Sequence, residues 1–196
     1  MSEPGPDGLL RCGWANSTAD YVAYHDQEWG RAVRGERALF ERFTLEAFQS
    51  GLSWLTILRK REHFRAAFDG FDPESVARYG DADAARLLAD PGIVRNRAKV
   101  AAAITNARAV LALREAGGLD AFVWSFAPGQ AQRTPPVALA DVPATTPGSV
   151  ALAKGLKRHG FVFVGPTTAY AAMQACGVVN DHLADCHVRG AGGASR

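Results

Sequence analysis

The chain has 196 residues, 47% of them apolar, with 22 Lys and Arg against 20 Asp and Glu. That size and apolar content suit one globular domain, 1–196, whose core needs no extra staples, and a net charge of +2 argues for no charged partner unless cations cluster. Three cysteines, no charged leader ahead of an apolar run and no apolar stretch of bilayer length exclude a disulfide framework, a secretion signal and a membrane span, so a reduced, cytoplasmic protein is expected.

In chain order the pattern is helix after helix. Tyr21, Tyr24, His25, Glu28 and Trp29 fall at i, i+3, i+4, i+7 and i+8, which predicts an aromatic stripe along one helical face. Such a stripe packs a core or stacks a planar base. Leu39, Phe40, Phe43, Ala47 and Ser50 mark a second helix. Glu46 falls on its apolar side, where a carboxylate costs several kcal/mol unless it is paired with an arginine or has a task. Ser53 suits the cap of a helix running through Leu58, and Trp54 stands close enough to Glu46 for both to line one pocket.

Asp72-Pro73 opens a further helix, and Val100, Ala103, Ile104, Ala107, Val110 and Leu111 define a long one. Breaks are expected at Gly117-Gly118 and over Thr134 to Pro147, a surface loop ahead of a helix to about Arg158. Cations cluster at Arg59, Lys60, Arg61 and Arg65, at Arg95, Arg97 and Lys99, and at Lys154, Lys157 and Arg158, each readable as a solvated helix face. After the last cluster, Gly160 and Gly165 bracket a short apolar turn that leads through Pro166, Thr167 and Thr168 into another helix. Free amides there could meet a phosphate, helped by the helix dipole. The tail, Arg189 to Arg196 within a flexible stretch from 187, is rich in Gly, Ala and Ser.

Two pairs of metal-competent residues lie at opposite ends, Cys12 with His25 and His182 with Cys186. His-x3-Cys places two ligands one helical turn apart, and together the four make a closed Cys2His2 set, structural rather than hydrolytic because no position is left for water. Four ordinary buried Cys and His residues are the alternative reading.

The segments Arg11-Cys12-Gly13-Trp14, Tyr24 to Gly30, Leu45-Glu46, Gly51 to Trp54, Gly160 to Gly165, Met173 to Gly177 and Val179 to His182 with Cys186 resemble, in the same order, the bacterial 3-methyladenine DNA glycosylase I family. The similarity runs from about Leu10 to Cys186. It implies an all-α helix-hairpin-helix glycosylase fold with Gly160 to Gly165 as the hairpin, which would grip the DNA backbone with Gly160, Gly165, Thr167, Lys157 and Arg158. It also implies a structural zinc on Cys12, His25, His182 and Cys186. Tyr24 and Glu46 are implied as catalytic, with Glu46 accepting hydrogen bonds from the damaged base, while Trp54 stacks on it and Tyr21 and Trp29 stand nearby. Many relatives in the wider superfamily carry an aspartate directly after the valine, where Val179 here is followed by Asn180.

The expected reaction is hydrolysis of the N-glycosidic bond of 3-methyladenine flipped out of alkylated double-stranded DNA. Alkylation at N3 makes the base cationic and its glycosidic bond weak, so little acid catalysis is needed. No lysine follows Lys157, so a Schiff base and strand cleavage are not expected. A monomer without a nucleotide cofactor and without a membrane partner is expected. The competing expectation is a non-catalytic, zinc-clasped helical DNA-binding module in which the aromatics are core and Glu46 is salt-bridged.

Overall fold

Where the chain must leave one helix and enter the next, short polar caps and positive-φ residues do the turning, and the elements follow the sequence pattern closely. The computed structural model describes residues 1–129 and 134–190. A short antiparallel ribbon comes first, β1 (Ser2–Pro4) paired with β2 (Leu10–Cys12), Ser2 opposite Cys12. The ribbon is an addition to the helical fold expected, and the rest is mostly helical: α1 (Ala19–Gln27), α2 (Glu36–Gln49), α3 (Trp54–Ala67), α4 (Pro73–Ala77), α5 (Asp81–Ala89), α6 (Arg97–Leu113), α7 (Gly118–Trp124), α8 (Pro147–Arg158) and α9 (Pro166–Ala175).

Two of the caps are those the sequence predicts, Ser53 and Asp72, and Thr146 adds a third. Ser53 accepts from the Thr56 amide, Asp72 from Ser75 and Thr146 from Ser149, each satisfying an otherwise orphaned first-turn donor. The helix that Ser53 opens runs on past Leu58 to Ala67, because Phe64 and Ala67 extend its buried face. Ser50, expected inside α2, is instead its exposed C-cap.

α2 is the central element: every residue from Arg42 to Phe48 is buried, including Arg42, Thr44 and Glu46. An apolar helix buried all round is ordinary, whereas one carrying two ionisable groups there needs an account. α6 also presents more than one buried face, and its alanines at 102, 103, 107 and 109 let neighbours approach closely. α2 packs against α3, α6, α7 and α9, while α8 and α9 pack on each other.

Three expectations change. The stripe from Tyr21 to Trp29 is not one helix: α1 stops at Gln27, and both the Glu28 and the Trp29 amides donate to the Tyr24 carbonyl. Gly30 then turns the chain with φ +76°, and an added Cβ there would stand 2.8 Å from His182 Nε2, so only glycine fits. The basic clusters are not uniformly solvated faces, since Arg61 pairs with Glu28 and buried Lys99 donates to the Phe48 and Ser50 carbonyls, capping the C-terminus of α2. Residues 187–190 do not behave as tail: the His187 amide donates to the Leu10 carbonyl, Val188 is buried, and the Arg189 carbonyl accepts from Asn180. The remainder of the expected tail, 191–196, lies outside the described residues.

Candidate active site

A cleft of about 370 Å³ opens where α1, α2, α3 and α9 meet, at the small end of the roughly 300–1,000 Å³ typical of ligand pockets. Tyr21 and Tyr24 reach it from α1, Glu46 and Gln49 from α2, Trp54 from the first residue of α3, and Gln174 from α9. Trp14 lines it from the 3-10 turn Gly13–Ser17, Trp29 from the chain after α1, and Asp181 from the segment after α9.

The aromatics brace one another. Trp14 meets Tyr21 and Trp29 edge-on at 5.5 and 5.2 Å, and Tyr24 lies 5.3 Å from Trp54. The Tyr21 hydroxyl accepts from the Leu55 amide, which fixes the start of α3 and hence the indole beside it. Trp54 Nε1 is buried with no hydrogen-bond partner, a donor left over in the cleft wall.

Glu46 is 6% exposed and forms no hydrogen bond or ion pair with any described residue. No arginine from a neighbouring helix pairs with it among the described residues, and Arg42, one turn earlier on α2, donates to Glu28 instead at 2.7 Å. Glu28 also takes both Arg61 donors, at 2.6 and 2.8 Å. Burial raises the Glu28 pKa, but the two arginines outweigh it and hold the group at about 2. Glu46 has no such company: burial pushes it up to about 8, opposed only by the more distant Arg42 charge. Burial, and then the Glu46 charge, drive the Tyr24 phenol well above its ordinary value, so Tyr24 stays a neutral donor.

The four metal-competent residues converge behind this cleft, all buried, with ligand atoms within 4.8 Å of one another. A tetrahedral zinc with Zn–N of about 2.0–2.1 Å and Zn–S of about 2.3 Å sets ligand atoms roughly 3.3 Å apart for two nitrogens and roughly 3.6 Å for nitrogen and sulfur. His25 Nε2 lies 3.2 Å from His182 Nδ1, and Cys186 Sγ lies 3.5 and 3.7 Å from those two nitrogens. Cys12 Sγ is 3.8 Å from His182 Nδ1. The neighbours also select the tautomers such a site requires. His25 Nδ1–H donates to Asp26 and His182 Nε2–H donates to the Trp29 carbonyl, which leaves His25 Nε2 and His182 Nδ1 as bare acceptors facing the cluster.

The hairpin between α8 and α9 keeps Lys154, Lys157 and Arg158 exposed, along with Gly160, Gly165 and Thr167. None of those three cations enters an ion pair among the described residues, in contrast to Arg59, Arg61 and Arg65. The sequence reading missed Trp14, Gln49, Gln174 and Asp181 as cleft residues. Asp181 is 2% exposed and accepts from the Tyr170 hydroxyl at 2.5 Å and Gln174 Nε2 at 2.8 Å. It follows directly on Asn180, whose own side chain points away to the His182 amide and the Arg189 carbonyl.

A buried carboxyl without a partner among the described residues, walled by indoles and phenols in an open cleft, suits a planar, electron-poor ring, and the exposed cations of the α8–α9 hairpin suit a polyanion. Comparison with known proteins agrees. The methyladenine glycosylase family model matches residues 14–189. The chain is 49% identical over 180 residues to DNA-3-methyladenine glycosylase 1 of Escherichia coli (strain K12), covering 91% of this chain and 96% of that protein. It is 44% identical over 177 residues to DNA-3-methyladenine glycosylase of Haemophilus influenzae, covering 90% and 96%. A crystal structure of a 3-methyladenine DNA glycosylase I superposes with a TM-score of 0.86 at 50% identity, covering 90% of this chain and 98% of that one. A Staphylococcus aureus enzyme of the same name, whose structure describes its recognition of 3-methyladenine, gives 0.86 at 35% identity over 91% and 96%. The chain belongs to the methyladenine glycosylase family.

Proposed function

We propose that this protein is a monofunctional DNA glycosylase that flips 3-methyladenine out of alkylated double-stranded DNA and hydrolyses its N-glycosidic bond. The observation that carries this is Glu46, buried and unpaired where a flipped base would sit. A group in that state is costly to an empty protein and becomes useful when a cationic ring arrives. The cation draws the carboxyl into its ionised form, so affinity for the lesion exceeds affinity for neutral adenine.

In this reading Trp54 stacks on the base and Tyr24, Tyr21 and Trp29 complete the aromatic wall. The C1′–N bond breaks with its electron pair passing to the base, which leaves neutral, while positive charge develops on the sugar beside Glu46. Water then bonds to C1′ and passes its proton to the Glu46 carboxylate, which returns it to solvent when the base leaves. Tyr24 remains a hydrogen-bond donor throughout. No lysine lines the cleft among the described residues, which favours release of the base without strand cleavage.

The α8–α9 unit acts in this reading as the helix-hairpin-helix element, in which the Gly160, Gly165 and Thr167 backbone and the Lys157 and Arg158 charges hold phosphates without reading sequence. Cys12, His25, His182 and Cys186 would hold zinc, and a closed four-ligand ion supplies structure rather than an activated water. The distances between the four ligand atoms and the two tautomers support that role. No nucleotide cofactor, a monomeric state and a cytoplasmic location complete the proposal; no helix among the described residues is long and apolar enough to cross a membrane.

Trp54→Ala tests the cleft. Base stacking is worth about 1–3 kcal/mol, so free 3-methyladenine should bind roughly 5- to 150-fold more weakly by titration calorimetry and excision should slow, both read well below the melting transition because losing a mostly buried indole also lowers stability. Full affinity and full excision in this variant would remove the lesion from the cleft described.

A further inference from the structure

A buried asparagine on the long helix α6 has no place in the cleft or the metal cluster, and both of its side-chain hydrogen bonds go to the hairpin. Asn106 is 3% exposed. Its Nδ2 donates to the Val162 carbonyl at 3.0 Å, and its Oδ1 accepts from the Val162 amide at 2.8 Å. One side-chain amide thus pairs with both backbone groups of one residue at the tip of a turn, 56 residues away. The neighbouring alanines make this approach feasible: a Cβ built on Gly160 would touch Ala109 at 3.7 Å.

The turn needs holding. Phe163, the next residue, sits at φ +62°, a region that costs a non-glycine residue of order 1 kcal/mol or more unless its surroundings impose it. Phe161 and Val164 are buried while Val162 and Phe163 are each 44% exposed, so the tip faces outward between two anchors. Beyond Val162, the amides of Phe163, Val164 and Gly165 donate to no group among the described residues. Polar groups at an otherwise apolar helix face lose packing relative to a hydrocarbon, and this one is recovered only through the geometry it fixes.

We infer that Asn106 is a positioning residue for DNA binding: it clamps the Val162 peptide so that the hairpin amides that follow, with the Lys157 and Arg158 charges beside them, are pre-arranged for the phosphate backbone. The inference rests on the glycosylase reading and adds a residue outside both the cleft and the hairpin. Val162 lies at an exposed tip, so removing Asn106 loosens the hairpin more than it disturbs the core.

Asn106→Leu in the zinc-loaded full chain is the test, read on an undamaged duplex, on methylated duplex and on free 3-methyladenine. Expected are roughly tenfold weaker binding of undamaged duplex and a matching rise in KM, a loss of the order two net hydrogen bonds supply. The kcat at saturating DNA and the affinity for the free base stay at wild-type values. The Phe163 and Val164 amide resonances should broaden or shift while those of α2 do not. Unchanged duplex affinity overturns the inference, and so does a parallel fall in duplex and free-base affinity, which marks a purely structural residue. Should the leucine variant fail to fold, Asn106→Ser removes both bonds without added bulk and carries the same expectations. A wild-type protein that excises 3-methyladenine while the variant matches it sinks only this inference; a wild type that neither binds duplex nor releases base sinks the glycosylase reading with it.

Discussion

Replacing Glu46 by Gln should make the protein more stable and nearly inactive at once. The folded carboxyl holds its proton until about pH 8, whereas in the unfolded chain it lets go near the ordinary 4.5. Between those values the folded state binds the extra proton, so wild-type stability falls as pH rises, at about 1.4 kcal/mol per pH unit, and levels off above pH 8. Below pH 4.5 both states are protonated and Glu46 has no effect. Glu46→Gln removes this loss, and urea denaturation should find the variant equal to wild type at pH 4 and more stable by several kcal/mol at pH 9. Excision should drop by about a hundredfold, the scale on which a charge aimed at a developing cation contributes. Where the ionised carboxyl is the active form, wild-type kcat/KM should climb toward pH 8, and the glutamine variant should lack that rise. Stability gained as activity is lost is the mark of a group kept for function against the interest of the fold. A variant that is destabilised at pH 9 would mean Glu46 has a partner in solution and is structural.

The second large effect is expected from stripping the zinc proposed for the Cys12, His25, His182 and Cys186 cluster. The site's four ligands join β2 and α1, near the start of the chain, to the segment after α9 near its end. Those ligands also carry the cleft: the Trp29 ring stands edge-on to His182 at 4.6 Å, Trp14 meets His25 at 5.2 Å, and Asp181 directly precedes His182. Zinc contributes about 10–16 kcal/mol to folding in small finger peptides; a larger core here should reduce the dependence to roughly 5 kcal/mol, or about 10–20 °C in Tm. Dialysis against a strong chelator, with the metal content measured, should produce that fall together with loss of 3-methyladenine binding, and one equivalent of zinc should restore both. Cys186→Ser should mimic the stripped protein. A fully demetallated chain with unchanged Tm and unchanged base affinity would make the four residues an ordinary buried cluster.

Much of this arrangement is legible in the sequence because the decisive residues break a local rule. Glu46 stands out as a charge on the apolar period of α2, and the Ser53 and Asp72 caps mark helix starts. What the sequence hides is set by partners far along the chain. The helical period runs on unbroken through Trp29, so only the backbone, turning at Gly30, reveals that α1 has already ended. Whether Arg42 pairs with Glu46 or with Glu28 depends on where α1 and α3 dock, and Arg61 on α3 decides it. Asp181 was obscured by the expectation of an aspartate one position earlier. Asn106 looks like a lapse in an alanine-rich helix until the hairpin is set against it. The ribbon from Ser2 has no alternating pattern to announce it, and is held by pairing with Leu10–Cys12 and by a bond from Ser2 to Asp185.

The most direct measurement is chromatography of the free bases released from methylated duplex DNA by the zinc-loaded protein. Release of 3-methyladenine without 7-methylguanine and without strand cleavage is the result the proposal predicts, since in that reading the unpaired Glu46 and its aromatic walls receive a cationic base, and no lysine lines the cleft among the described residues. No release of any base by folded, metal-loaded protein that still binds duplex would contradict it, leaving a DNA-binding module whose aromatic cleft does no chemistry.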